Sequence, residues 1–74
     1  MNSIKEFKQT WNKHKGIDDR KVTIKPHFIW DKESKTLKAD YYTYYVYGDG
    51  VTVSFYYHYK FMINVHIDEI ERIK

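Results

Sequence analysis

Four histidines, His14, His27, His58 and His66, carry imidazoles, the side chain most used in metal binding and proton transfer. They are the first place to look for metal or acid–base chemistry. His58 and His66 share strand parity but stand eight residues apart. In extended chain that is about 26 Å, too far to share a metal without a sharp bend. His66-Ile67-Asp68 brings an imidazole near a carboxylate, yet no third ligand follows at a useful spacing. No metal site is expected. Nucleophilic catalysis lacks its parts as well. There is no cysteine. Ser3 reads as a helix cap, Ser34 as loop, and Ser54 as a strand residue with no base beside it. Gly48 and Gly50 mark a turn, not a phosphate-binding loop. One enzymatic idea survives. Tyr56, His58 and Lys60 alternate along a strand and could cleave RNA by general acid–base catalysis, as small ribonuclease toxins do. The simpler expectation is a non-enzymatic domain with no cofactor.

The chain has 74 residues, a formal net charge of +3 and 19% aromatic residues, eight of them tyrosine. That length fits one domain, 1–74. Without cysteine there is no disulfide framework to stiffen it. A chain this short buries only about 60% of its unfolded surface, so dimerisation would help it. The first residues lack the apolar core of a signal peptide, and no run approaches the roughly 18 apolar residues of a membrane span. The cytoplasm is therefore the expected compartment, with no membrane partner. The abundance of Lys, Ile, Tyr, Asn and Phe suggests an AT-rich genome, such as that of a Gram-positive bacterium or a phage.

Residue spacing predicts the elements. Residues 3–15 read as a helix. Ser3 and Glu6 have capping-box spacing, Ile4, Phe7 and Trp11 form one stripe, and Gly16 suits the stop. Residues 20–30 alternate and read as a strand, placed at a sheet edge by Pro26. Strands over 37–47 and 51–67 flank Gly48-Asp49-Gly50. A two-residue loop would put Asp40 on the same face as Val53 and Phe55. A three-residue loop, pairing Tyr47 with Val51, keeps Asp40 out of the core and is preferred. The last strand is too long to stay straight and should bend, bulge or break, most plausibly between Lys60 and Asn64. Ile67, Ile70 and Ile73 are three apart, and Asp68 with Glu71 resembles a capping box, so a short helix over 69–74 is expected. The predicted fold class is α+β. An N-terminal helix, a three-stranded antiparallel meander with a long or bent third strand, and a short C-terminal helix would place both helices on one sheet face.

The other face would then lie open. In the preferred register it carries Lys21, Lys25, His27, Lys38, Tyr42, Tyr44, Tyr56, His58 and Lys60 against the single acid Asp40. Tyrosine rings stack on unpaired bases, and lysines neutralise phosphates. The expected function is nucleic-acid binding, single-stranded or shape-based. Base-specific reading of a duplex is disfavoured, because Arg20 and Arg72 are the only arginines. The alternative is a protein-binding module or inhibitor of a host protein, from a phage or mobile element, docking through the same tyrosine-rich face. That face could also close a homodimer. The order helix–strand–strand–strand–helix is similar in topology to the double-stranded-RNA-binding domain. That domain carries a lysine cluster where this chain has Asp68-Glu69, and no family is recognised.

Overall fold

The computed structural model describes residues 1–14, 20–25, 34–48 and 50–74. Along the chain run α1 (Ile4–Lys13), β1 (Arg20–Ile24), β2 (Lys35–Ala39), β3 (Tyr41–Tyr47), β4 (Gly50–Tyr57) and β5 (Lys60–His66). A 3-10 turn (Ile67–Glu69) and β6 (Ile70–Ile73) follow. The strands form two antiparallel sheets of three, ordered β2-β1-β6 and β3-β4-β5. The α+β class holds. The three-strand count and the C-terminal helix do not.

α1 begins where the sequence places it. Ser3 is extended and its hydroxyl accepts the Glu6 N–H at 3.2 Å. Phe7 and Trp11 point from the helix into the core, where their rings meet Phe55 and Tyr42. The Phe7 ring meets Tyr42 edge-on at 4.7 Å, an arrangement that adds to simple burial. Val22 and Ile24 of β1, Ala39 of β2, Val53 of β4, Val65 of β5 and Ile70 and Ile73 of β6 complete the core. Arg20 fixes the far end of the helix. Its guanidinium lies 4.3 Å over the Trp11 ring, and Nε donates to the Trp11 carbonyl at 3.1 Å. Arg20→Ala uncovers that ring and removes a charged donor from the Trp11 carbonyl, leaving it only the His14 N–H at 3.2 Å. The expected cost is about 2 kcal/mol, read as a lowered urea midpoint, with Arg20→Lys between the two because its ammonium cannot stack as a plane.

The expected strand over 37–47 is two strands. It bends at Asp40, leaving β2 in one sheet and β3 in the other. Aspartate is a poor strand residue, and a corner lets it leave both ladders. Its N–H bonds the Tyr56 carbonyl at 2.9 Å and its Oδ2 accepts the His58 N–H at 3.0 Å. The bend also reverses side-chain parity. Ala39 points inward, and beyond the corner Tyr42 does so, not Tyr41. The ladder then pairs Tyr47 with Gly50, Tyr44 with Val53 and Tyr42 with Phe55. This is the parity of the two-residue loop, reached through Gly48 at φ +56. The preferred three-residue register is therefore corrected. Its reason, keeping Asp40 out of the core, is met by the corner instead.

The expected strand over 51–67 is likewise two, reversing at His58-Tyr59. Both residues are left-handed, at φ +50 and +66. A two-residue hairpin loop with both central residues left-handed normally holds Asn or Gly, and a non-glycine residue there costs about 1–3 kcal/mol. A bulge follows at Met62, between the pairs Tyr56–Phe61 and Phe55–Ile63.

The chain beyond His66 is a 3-10 turn and a strand. His66 Nδ1 accepts the Asp68 N–H at 3.2 Å, and Glu69 Oε1 accepts the His66 N–H at 3.0 Å. The reciprocal cap thus begins at His66, two residues before the expected Asp68. The three-residue isoleucine spacing imitates a helix for a different reason. The turn carries Ile67 to Ile70, and a bulge at Glu71 lets both Ile70 and Ile73 face inward. The first strand is found over Arg20–Ile24, but it lies between β2 and β6 and not at the sheet edge expected for it, because the C-terminal segment forms a strand and takes its second side. Residues 26–30, Pro26 among them, lie outside the described residues. No helix among the described residues is long and apolar enough to cross a membrane.

Candidate binding surface

The reversal at Asp40 decides which tyrosines work inside and which outside. α1 covers the inner face of sheet β3-β4-β5 only at its Tyr42 end. Tyr44, next along, is partly exposed and held by Lys8, whose ammonium donates to its hydroxyl at 3.0 Å. That hydrogen bond raises the Lys8 pKa above its ordinary value. Tyr42 is used by the core, and Tyr44 stands beside the helix.

The outer face of this sheet has a composition of its own. Strand pairing sets Tyr41, Tyr56 and Phe61 in one row across the three strands. Their rings follow one another at 5.7 and 5.9 Å. The next row is polar: Thr43, Ser54 and Asn64, with the Ser54 hydroxyl donating to Asn64 Oδ1 at 3.0 Å. Tyr45, Thr52 and His66 make the third row, and Tyr47 with Gly50 closes the sheet. Gly50 leaves room for the imidazole, since a Cβ there would stand 3.3 Å from His66 Nε2. A shallow groove of about 210 Å³ runs between Tyr45, Tyr47 and the polar row. None of these rows contains a lysine, arginine, aspartate or glutamate. Tyr45 is 72% exposed and Tyr41 and Tyr47 60% each, so the rings are presented to solvent and not folded down.

The cations gather on the other sheet. Lys38 and Lys21 face each other across β2 and β1, and Lys21 exchanges two backbone hydrogen bonds with Lys74. The adjoining row is Thr36, Thr23 and Arg72. Among the described residues no carboxylate lies within ion-pair distance of Lys21, Lys38, Arg72 or Lys74. Like charges directly opposed cost a few tenths to about 1 kcal/mol per pair.

The nine residues expected on one face are thus dispersed. Lys21 and Lys38 come together on the β1 sheet. Lys25 is exposed at the end of β1, its N–H bonded to the Glu69 carbonyl at 2.8 Å. Tyr56 alone lies in the outer aromatic row. Tyr42 and Tyr44 are on the helix side. His58 sits in the hairpin turn, stacked 3.9 Å from Tyr57, and Lys60 pairs with Tyr57 on the parity opposite to Tyr56. Tyr56 and His58 both line a depression at the Asp40 corner, and Lys60 is not among its lining residues. His27 lies outside the described residues. Sequence reasoning missed Tyr41, Tyr45, Tyr47 and Phe61. Asp40 in the middle of an alternating run was the available signal. Among the described residues no group of three or more His, Asp or Glu could hold a metal ion.

No family model, no curated protein and no solved structure matches the chain.

Proposed function

We propose that this chain is a non-enzymatic binding domain that docks a partner protein on the outer face of sheet β3-β4-β5. The observation that carries this reading is the charge-free aromatic face itself. Tyr41, Tyr45, Tyr47, Tyr56 and Phe61 surround a row of hydroxyl and amide groups with no formal charge between them. Interface cores are depleted in charge and enriched in tyrosine and phenylalanine. Tyrosine offers a large contact area for the loss of two side-chain torsions, and the middle row gives a partner backbone something to bond.

A second reading is supported by a separate observation. The row Lys38–Lys21–Lys74 with Arg72 keeps together four cations that no carboxylate of the described residues pairs, which suits the phosphates of a nucleic acid. The rings that would stack on bases are not interleaved with these lysines, so it ranks below the first.

One experiment separates them. The full chain is immobilised, exposed to lysate of its own host with and without nuclease, and compared with Tyr41→Ser/Tyr56→Ser and with Lys21→Gln/Lys38→Gln. Docking predicts one protein retained in stoichiometric amount, indifferent to nuclease, lost with the tyrosine pair and kept with the lysine pair. Material lost with nuclease and with the lysine pair, but kept with the tyrosine pair, overturns the proposal in favour of nucleic acid.

A further inference from the structure

At the Asp40 corner the aromatic row ends in a depression of about 610 Å³ lined by Asp40, Tyr41, Tyr56, His58 and Tyr59. Three phenol rings, one imidazole and a single carboxylate share its lining. Asp40 Oδ2 accepts the His58 N–H, and among the described residues nothing bonds Oδ1. The wall formed by Tyr59 is costly to the fold. Tyr59 is left-handed at φ +66 and its side chain is fully exposed. Glycine would take that backbone without strain. The core gains nothing from the ring, so its place beside the depression calls for another account.

We propose that this depression binds a quaternary alkylammonium group. Ring faces attract a cation through their quadrupole, and aromatic enclosures of this kind suit quaternary ammonium ions. The Asp40 carboxylate adds an opposing charge to the lining. A primary ammonium is the poorer fit. It is strongly hydrated and brings three N–H donors to a site with one unbonded carboxylate oxygen. A tetraalkylated nitrogen has no donor to satisfy and little hydration to lose. The group could belong to a free quaternary amine such as choline. It could equally be a trimethylated lysine on a docked protein, and only this second source rests on the partner-docking reading above.

The probe is tetramethylammonium chloride, titrated into the full chain at constant ionic strength and followed by NMR of the tyrosine ring signals. Saturable shifts at Tyr41, Tyr56 and Tyr59 are expected, with affinity at least tenfold above that of ammonium chloride. Tyr59→Gly should weaken binding about tenfold while the melting temperature holds or rises. Asp40→Asn should weaken it by a similar factor. Shifts that do not saturate, equal response to ammonium, or full affinity in Tyr59→Gly would overturn the site. Choline and acetyl-trimethyllysine amide, titrated in parallel, tell the two sources apart by which binds more tightly than the bare probe. The probe reports on the pocket alone. Saturation with an unaltered capture result in the tyrosine pair would keep the pocket and remove the docking face.

Discussion

Phe55→Ala is expected to cost about 3–5 kcal/mol, the range for deleting a fully buried phenylalanine. Phe55 is wholly buried, and its ring lies 5.8 Å from Phe7 and 6.1 Å from Trp11. It is the surface against which the helix packs, so the cavity opens under α1 and beside Tyr42. A chain of 74 residues has about 4–11 kcal/mol of total stability at the usual per-residue value. One substitution therefore removes a large part of it. With about 4–8 °C per kcal/mol at this size, the melting temperature should fall by more than about 12 °C. Phe61→Ala is the control. It deletes the same side chain from the outer face, where Phe61 is exposed, and should stay within about 1 kcal/mol. Thermal melts followed by circular dichroism compare the two. A larger loss in Phe61→Ala than in Phe55→Ala would mean that the two faces of the sheet have been assigned the wrong way round.

Tyr41→Ser/Tyr56→Ser is expected to weaken the partner complex about a hundredfold. A buried interface tyrosine commonly accounts for 2 kcal/mol or more. These two rings are 5.7 Å apart, so their effects should couple and the pair should lose less than twice the single value. About 3 kcal/mol corresponds to that factor. Neither residue belongs to the buried core, so the melting temperature should move little. Calorimetry with the captured partner reads the affinity, and a melt on the same sample reads the fold. A loss below threefold would place the contact elsewhere on the chain.

Local signals in the sequence were legible, and the path of the chain was not. The helix start at Ser3, the inward stripe of Phe7 and Trp11, and the alternation of Val22 and Ile24 each depend on near neighbours. They read correctly for that reason. The two chain reversals were hidden from the same logic. His58-Tyr59 carries none of the residues that favour a left-handed turn, so the expected break falls between Lys60 and Asn64, where the structure has the bulge, and the reversal itself lies just before it. Asp40 was weighed as a strand residue to be kept from the core, when its poor fit to any strand marked a corner. Parity accumulates along a strand. One undetected corner therefore exchanged Tyr42 for Tyr41 and moved the tyrosines away from the lysines. The isoleucine triplet at the end shows the converse. A 3-10 turn and a single-residue bulge reproduced helical spacing in a strand. The candidate surface was foreseen in kind, a tyrosine-rich open sheet face. Its members and its charge were not, because both follow from register.

The bend at Asp40 turns Tyr41 and Tyr45 outward and Tyr42 inward. Limited nitration of the native chain, mapped by peptide mass spectrometry, tests this arrangement most directly. Modification at Tyr41, Tyr45, Tyr47 and Tyr59 with Tyr42 protected is the predicted pattern. Early modification of Tyr42 with Tyr41 and Tyr45 protected would contradict it, restoring the slipped register and with it the mixed tyrosine–lysine face.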